Sequence, residues 1–140
     1  MTGVQTCALP ISVEPGGALS KIPCPSNCKT GVEPVGVAVS PSGHFLYAAN
    51  AESHSVSVFS IGAGGALSPI ACAAECEVTN STPEDIAISP NWQFLYVDER
   101  DAYHIAVFAI AANGSLTKVD RKSTRLNSSH LKLSRMPSSA

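Results

Sequence analysis

The sequence predicts an all-β fold, a fragment of a β-propeller with two complete four-stranded blades and the outer strand of a preceding one. Three observations lead there. First, the stretch Pro34 to Ile70 falls without a gap on Pro83 to Val119 when the sequence is slid by 49 residues, and 13 of the 37 pairs are identical. A fixed period of this size marks a repeat architecture. Second, each copy reads as four short β-branched or aromatic runs separated by Pro and Gly turns, and no stretch has helical periodicity with caps. Third, the first three runs of each copy are nearly continuous apolar segments, as in sheets covered on both faces. A small sheet covered on both faces within a repeat is a propeller blade, packed between two neighbours.

The elements follow in order. Gly16 to Ile22 matches Gly64 to Ile70 at an offset of 48, so Ser12 to Ile22 is the end of an earlier copy. The one-residue change in offset falls in the loop between Cys28 and Pro34, because a slip within a strand would turn every side chain to the wrong face. In the first copy the strands are Gly36 to Ser40, Phe45 to Ala49, Val56 to Ile61 and Leu67 to Ala71. Ser40-Pro41-Ser42-Gly43 and Gly62-Ala63-Gly64-Gly65 are turns, with Pro presetting the backbone and Gly closing it. In the second copy the strands are Ile86 to Ser89, Phe94 to Val97, Ile105 to Ile110 and Leu116 to Val119. Tyr47, Tyr96, Phe45, Phe94, Phe59 and Phe108 recur in register and are expected to pack the core. Trp92 stands where the first copy has Gly43 and is expected as a surface cap.

The two ends read differently. Met1 to Ile11 resembles the in-frame translation of a sequencing-library adapter, and Asp120 to Ala140 resembles that of its partner. Residues 1–11 and 120–140 are therefore set aside as artefact, leaving residues 12–119 as propeller, with blades at about 35–70 and 84–119. Arg121, Lys122, Arg125, Lys132 and Arg135 are five of the nine basic residues. Without the end from Asp120 onward, the chain has four basic and ten acidic residues, a net charge of −6 rather than −2. A nucleic-acid partner is not expected from that balance. No run of 18 apolar residues is present, so no membrane span is expected.

The residues also resemble a family. Pro34-Val-Gly-Val-Ala-Val-Ser-Pro-Ser-Gly-His-Phe-Leu-Tyr-Ala-Ala-Asn50, then Ser55 to Ile61 and Gly65 to Ile70, is similar to the blade of lactonase-type seven-bladed β-propellers. These are bacterial proteins of the 6-phosphogluconolactonase kind and the propellers with a Tyr-Val-Thr-Asn repeat. Here that signature reads Tyr47-Ala48-Ala49-Asn50. The second copy departs from it, with Tyr96-Val97 followed by Asp98 and Glu99. The resemblance implies a sugar-lactone hydrolase as the parent protein, with no cofactor and no metal. A chain of two blades is expected to be inactive by itself. The alternative is a non-catalytic exported propeller that binds a protein or glycan partner.

Chemistry is expected on one rim, where strand two turns into strand three and one blade passes to the next. Opening a lactone needs a base to activate water and a cation to steady the oxyanion. Glu99, Asp101 or His54 could be the base, and Arg100 the cation. The competing reading is that these are solvated loop charges. His44 lies at the opposite rim, and His104 opens a strand. Four cysteines recur as two pairs at the same place in successive copies, Cys24 and Cys28, then Cys72 and Cys76. Disulfides within each pair are favoured, a four-cysteine zinc site and free thiols being the other readings. Loop disulfides imply an oxidising compartment, periplasmic or secreted, with a cytoplasmic location still open. Asn80-Ser81-Thr82 and Asn113-Gly114-Ser115 fit the glycosylation sequon.

Overall fold

The structure is a computed structural model that describes residues 11–22, 28–71 and 81–119. Its strands are β1 (Ile11–Val13), β2 (Leu19–Lys21), β3 (Pro34–Val39), β4 (Phe45–Asn50), β5 (Ser55–Ile61), β6 (Leu67–Pro69), β7 (Pro83–Ile88), β8 (Phe94–Glu99), β9 (His104–Ile110) and β10 (Leu116–Lys118). Ala63–Gly65 forms a single 3₁₀ turn between β5 and β6. The strands β3-β4-β5-β6 make one antiparallel sheet and β7-β8-β9-β10 a second, each a meander of sequential neighbours. The hairpin β1-β2 stands alone, with Ile11 opposite Lys21. The preceding copy is thus present as two short strands, where one was expected.

The period of 49 is visible in the backbone as well as in the letters. Both inner strands carry an irregularity at the same place, between Pro34 and Gly36 and between Pro83 and Asp85. Both first turns are closed by a serine. The Ser40 carbonyl accepts from Gly43 N–H at 2.7 Å, and its hydroxyl from Phe45 N–H at 3.0 Å. Ser89 does the same for Trp92 and Phe94, at 2.9 and 3.0 Å. The side-chain oxygen supplies what the turn's backbone cannot pair internally.

The main core lies between the two sheets. Tyr47, Ala49, Val56 and Val58 from the first meet Ile86, Leu95, Val97, Ala106, Phe108 and Leu116 from the second. Full burial of a side chain such as Leu95 or Phe108 contributes about 1.5–3 kcal/mol. The two blades are also latched by polar contact: the Tyr47 hydroxyl donates to the Gly114 carbonyl at 3.1 Å. Gly114 has φ +84, and a Cβ there would lie 2.3 Å from the Phe45 ring, so only glycine lets the two blades close at this point. A smaller cluster, Cys28, Phe59 and Leu67 with Leu46 and Ile61, covers the other face of the first sheet.

Two expectations about burial are corrected. Val35, Val37 and Val39 on β3 are exposed, because the short hairpin does not extend over the inner strand. Tyr96 is exposed as well, although its counterpart Tyr47 is fully buried. The second sheet covers Tyr47, and among the described residues no sheet plays that part for Tyr96. Cys28 is disulfide-bonded, and its sulfur packs 3.5 Å from the Leu67 carbonyl. Cys24, Cys72 and Cys76 lie outside the described residues, as do residues 1–10 and 120–140.

Candidate functional site

Four-residue turns join β4 to β5 and β8 to β9 on the same rim. His54 N–H closes the first onto Ala51, and Tyr103 N–H the second onto Arg100. His54 and Tyr103 hold equivalent positions and both have positive φ, 48° and 51°. Each turn is tied to the segment entering its own sheet. Ala51 N–H donates to the Glu33 carbonyl at 2.7 Å, and Arg100 N–H to the Thr82 carbonyl at 3.0 Å. The rim is therefore a built edge, continuous between the two blades. His54 Nδ1 reaches across to the Ser81 carbonyl at 2.7 Å, and the Ser81 hydroxyl accepts from Ala102 N–H at 3.1 Å. Ser81 is buried.

Beneath this edge lies a charged pair. Glu99 is 1% exposed. Its Oε2 faces His104 Nε2, and the other ring nitrogen of His104 lies 3.3 Å from the Ala102 carbonyl. Oε1 has no hydrogen-bond partner. The first blade solves the same position without charge. There Asn50 is fully buried, and its amide donates to the Ser55 and Ser57 hydroxyls at 3.1 and 3.0 Å. Asn50 and Ser55 occupy the places of Glu99 and His104 in the repeat. Glu99 points toward the first blade, on the same face as the buried Val97. It is not solvated, so it differs from the loop charges with which the sequence grouped it.

The remaining charges are on the surface of the rim. Arg100 splits its guanidinium between Glu84 Oε1 at 2.7 Å and Asp101 Oδ1 at 3.5 Å. Its proton is held above the ordinary value, chiefly by the Glu84 carboxylate and then by Asp101. Asp101 also accepts from the Thr82 hydroxyl. That bond does most to hold its carboxyl below the usual value; Arg100 and His54 add to it, and burial opposes it. Asp101 is thus kept ionised, with Thr82, Arg100 and His54 around it.

Of the residues expected from sequence, His54, Arg100 and Asp101 meet in this rim, and Glu99 lies below them. Thr82, Glu84, Ser81 and His104 were not anticipated as members. Only His104 had a readable signal, since the repeat sets Glu99 and His104 on the polar pair Asn50 and Ser55. Among the described residues no group of three or more His, Cys, Asp or Glu could hold a metal ion. Among those residues, too, no helix is long and apolar enough to cross a membrane.

Comparison with known proteins adds the following. Residues 70–129 match the lactonase, 7-bladed β-propeller family model, a stretch that runs past Val119. No curated relative matches the sequence. Among solved structures, the chain resembles a proposed 6-phosphogluconolactonase from Bacteroides fragilis NCTC 9343, with 26% identity and a TM-score of 0.59 over 75% of this chain and 30% of that one. A functionally unknown protein from Desulfotomaculum acetoxidans DSM 771 gives 19% identity and a TM-score of 0.61, over 79% of this chain and 33% of that one. A further proposed 6-phosphogluconolactonase, from Bacteroides uniformis ATCC 8492, gives 16% and 0.53, over 79% and 34%. The chain thus spans about a third of the length of the structures it matches.

Proposed function

The chain carries blades of the lactonase-type β-propeller family, and on that premise we propose that the whole protein opens a sugar lactone at the rim built by His54, Thr82, Arg100 and Asp101. The observation that carries the reading is Asp101, which its neighbours keep ionised on an exposed edge beside both an imidazole and a guanidinium. Water would attack the lactone carbonyl, giving up a proton to Asp101 or His54. The ring C–O bond would break, and the proton would pass to the departing ring oxygen, leaving a hydroxy acid. Arg100 would steady the oxyanion once the substrate displaces Glu84. Glu99 and His104 brace the turn from beneath and do not touch substrate in this reading. A two-blade chain offers a share of such a rim, and alone it is inactive.

The test is hydrolysis of gluconolactone and 6-phosphogluconolactone by the whole protein, followed by release of acid. Asp101→Asn and Arg100→Met should each lower kcat at least tenfold, in line with the usual weight of one positioned group. Full activity in both variants would remove this rim from the reaction. The second reading is an exported propeller that binds without catalysis. The disulfide at Cys28 favours export. A whole protein that is silent on both lactones and yet retains a specific partner would establish that reading instead.

A further inference from the structure

The opposite rim holds a cleft that plays no part in the reading above. It lies where the two sheets meet, has a volume of about 310 Å³, and is lined chiefly by Ser40, Ser42, His44, Phe45, Ile88 and Trp92. No carboxylate, lysine or arginine lines it. Its floor is fixed, because the Phe45 ring is wedged against Gly114 and the neighbouring Tyr47 hydroxyl holds the Gly114 carbonyl. The cleft belongs to two complete blades and to described residues alone.

Trp92 is the unusual feature. It closes the turn between β7 and β8 with φ +63, a conformation that bulky side chains rarely adopt. The equivalent turn in the first blade uses Gly43, which takes φ +73 freely. The second blade therefore keeps a strained backbone in order to place an indole here. That indole is 44% exposed, so burial in the core does not account for it. Backbone strain held at an exposed aromatic beside a cleft points to a ligand.

We propose that this cleft binds the terminal residue of a neutral saccharide. A sugar ring has an apolar face of C–H groups and a perimeter of hydroxyls. Trp92 offers a broad rigid surface for the first, with an N–H at its edge. Ser42 and His44 offer hydroxyl and imidazole groups for the second. The uncharged lining argues against a phosphorylated or acidic sugar, and the volume suits one ring. The disulfide at Cys28 is consistent with a protein that meets glycans outside the cytosol.

The experiment uses the 140-residue chain, in which Trp92 is the single tryptophan and so a built-in reporter. The chain is titrated with chitotriose, maltotriose and cellotriose while indole emission is followed. At least one sugar should give a saturable blue shift with a Kd of about 1 mM or tighter. Saturation-transfer NMR on that sugar should show a loss of about tenfold or more in Trp92→Gly. The thermal midpoint of that variant should not fall, since glycine relieves the strained turn. His44→Ala should weaken binding several-fold at an unchanged midpoint. The proposal is overturned if none of the three sugars binds at about 10 mM, or if Trp92→Gly and His44→Ala both bind normally. A drop in midpoint for Trp92→Gly with normal binding by His44→Ala would make the indole a structural cap and overturn it equally.

Discussion

Removing His104 should test how the blade interface tolerates charge. In His104→Ala, Glu99 keeps its place under the rim, 1% exposed, and loses the one group that faces its carboxylate. Breaking a buried ion pair from one side costs about 3–5 kcal/mol. His104 is partly exposed, so the lower half of that range is expected. With a urea slope of about 1–3 kcal/mol/M for a small domain, the midpoint should fall by roughly 1–3 M. The repeat itself supplies the control. The double variant Glu99→Asn, His104→Ser installs the neutral arrangement of Asn50 and Ser55, whose amide and hydroxyl pair at 3.1 Å. It should recover the loss and could exceed the wild type, since replacing a buried pair by a satisfied neutral one is often neutral or favourable. Urea unfolding followed by far-UV circular dichroism at low protein concentration measures both. If His104→Ala unfolds at the wild-type midpoint, Glu99 is not held as a buried charge and the argument fails. If the double variant is as unstable as the single one, the two blades do not solve this position in equivalent ways.

Three further outcomes follow from the same geometry. Gly114→Ala should destabilise the chain by about 1–3 kcal/mol or more, because it adds a Cβ at 2.3 Å from Phe45 in a left-handed backbone, and the urea midpoint reads this directly. Burial pushes the Tyr47 phenol up from 10.0 to about 12. A raised folded value means that its contribution is complete below pH 10 and is lost as pH rises toward 12; alkaline melts of Tyr47→Phe should show less loss across that window. Thr82→Val removes the main group that holds Asp101 low, so the Asp101 titration seen by carboxyl NMR should move up toward 3.8; an unmoved titration would remove Thr82 from the account.

The sequence by itself determined the repeat, and with it most of the fold. Identical letters at a spacing of 49 put strands in the same places in both blades, down to the serine that closes each first turn. This works because turn chemistry and β-branched runs act locally, within a few residues. What the letters could not give is which neighbour covers which face. Tyr47 and Tyr96 are the same residue in the same strand, yet one is buried and the other exposed, because only one has a sheet packed over it. The same limit applied to the rim. Arg100 and Asp101 were legible as adjacent charges, but their clamping by Glu84 and Thr82 depends on residues 16 and 19 positions away. Glu99 was legible as an acid, though not as a buried one. Its burial follows from strand alternation at the end of β8, which turns it toward the first blade while Arg100 turns out. Burial, pairing and protonation are properties of what packs alongside, and a linear sequence does not carry that until the blades meet.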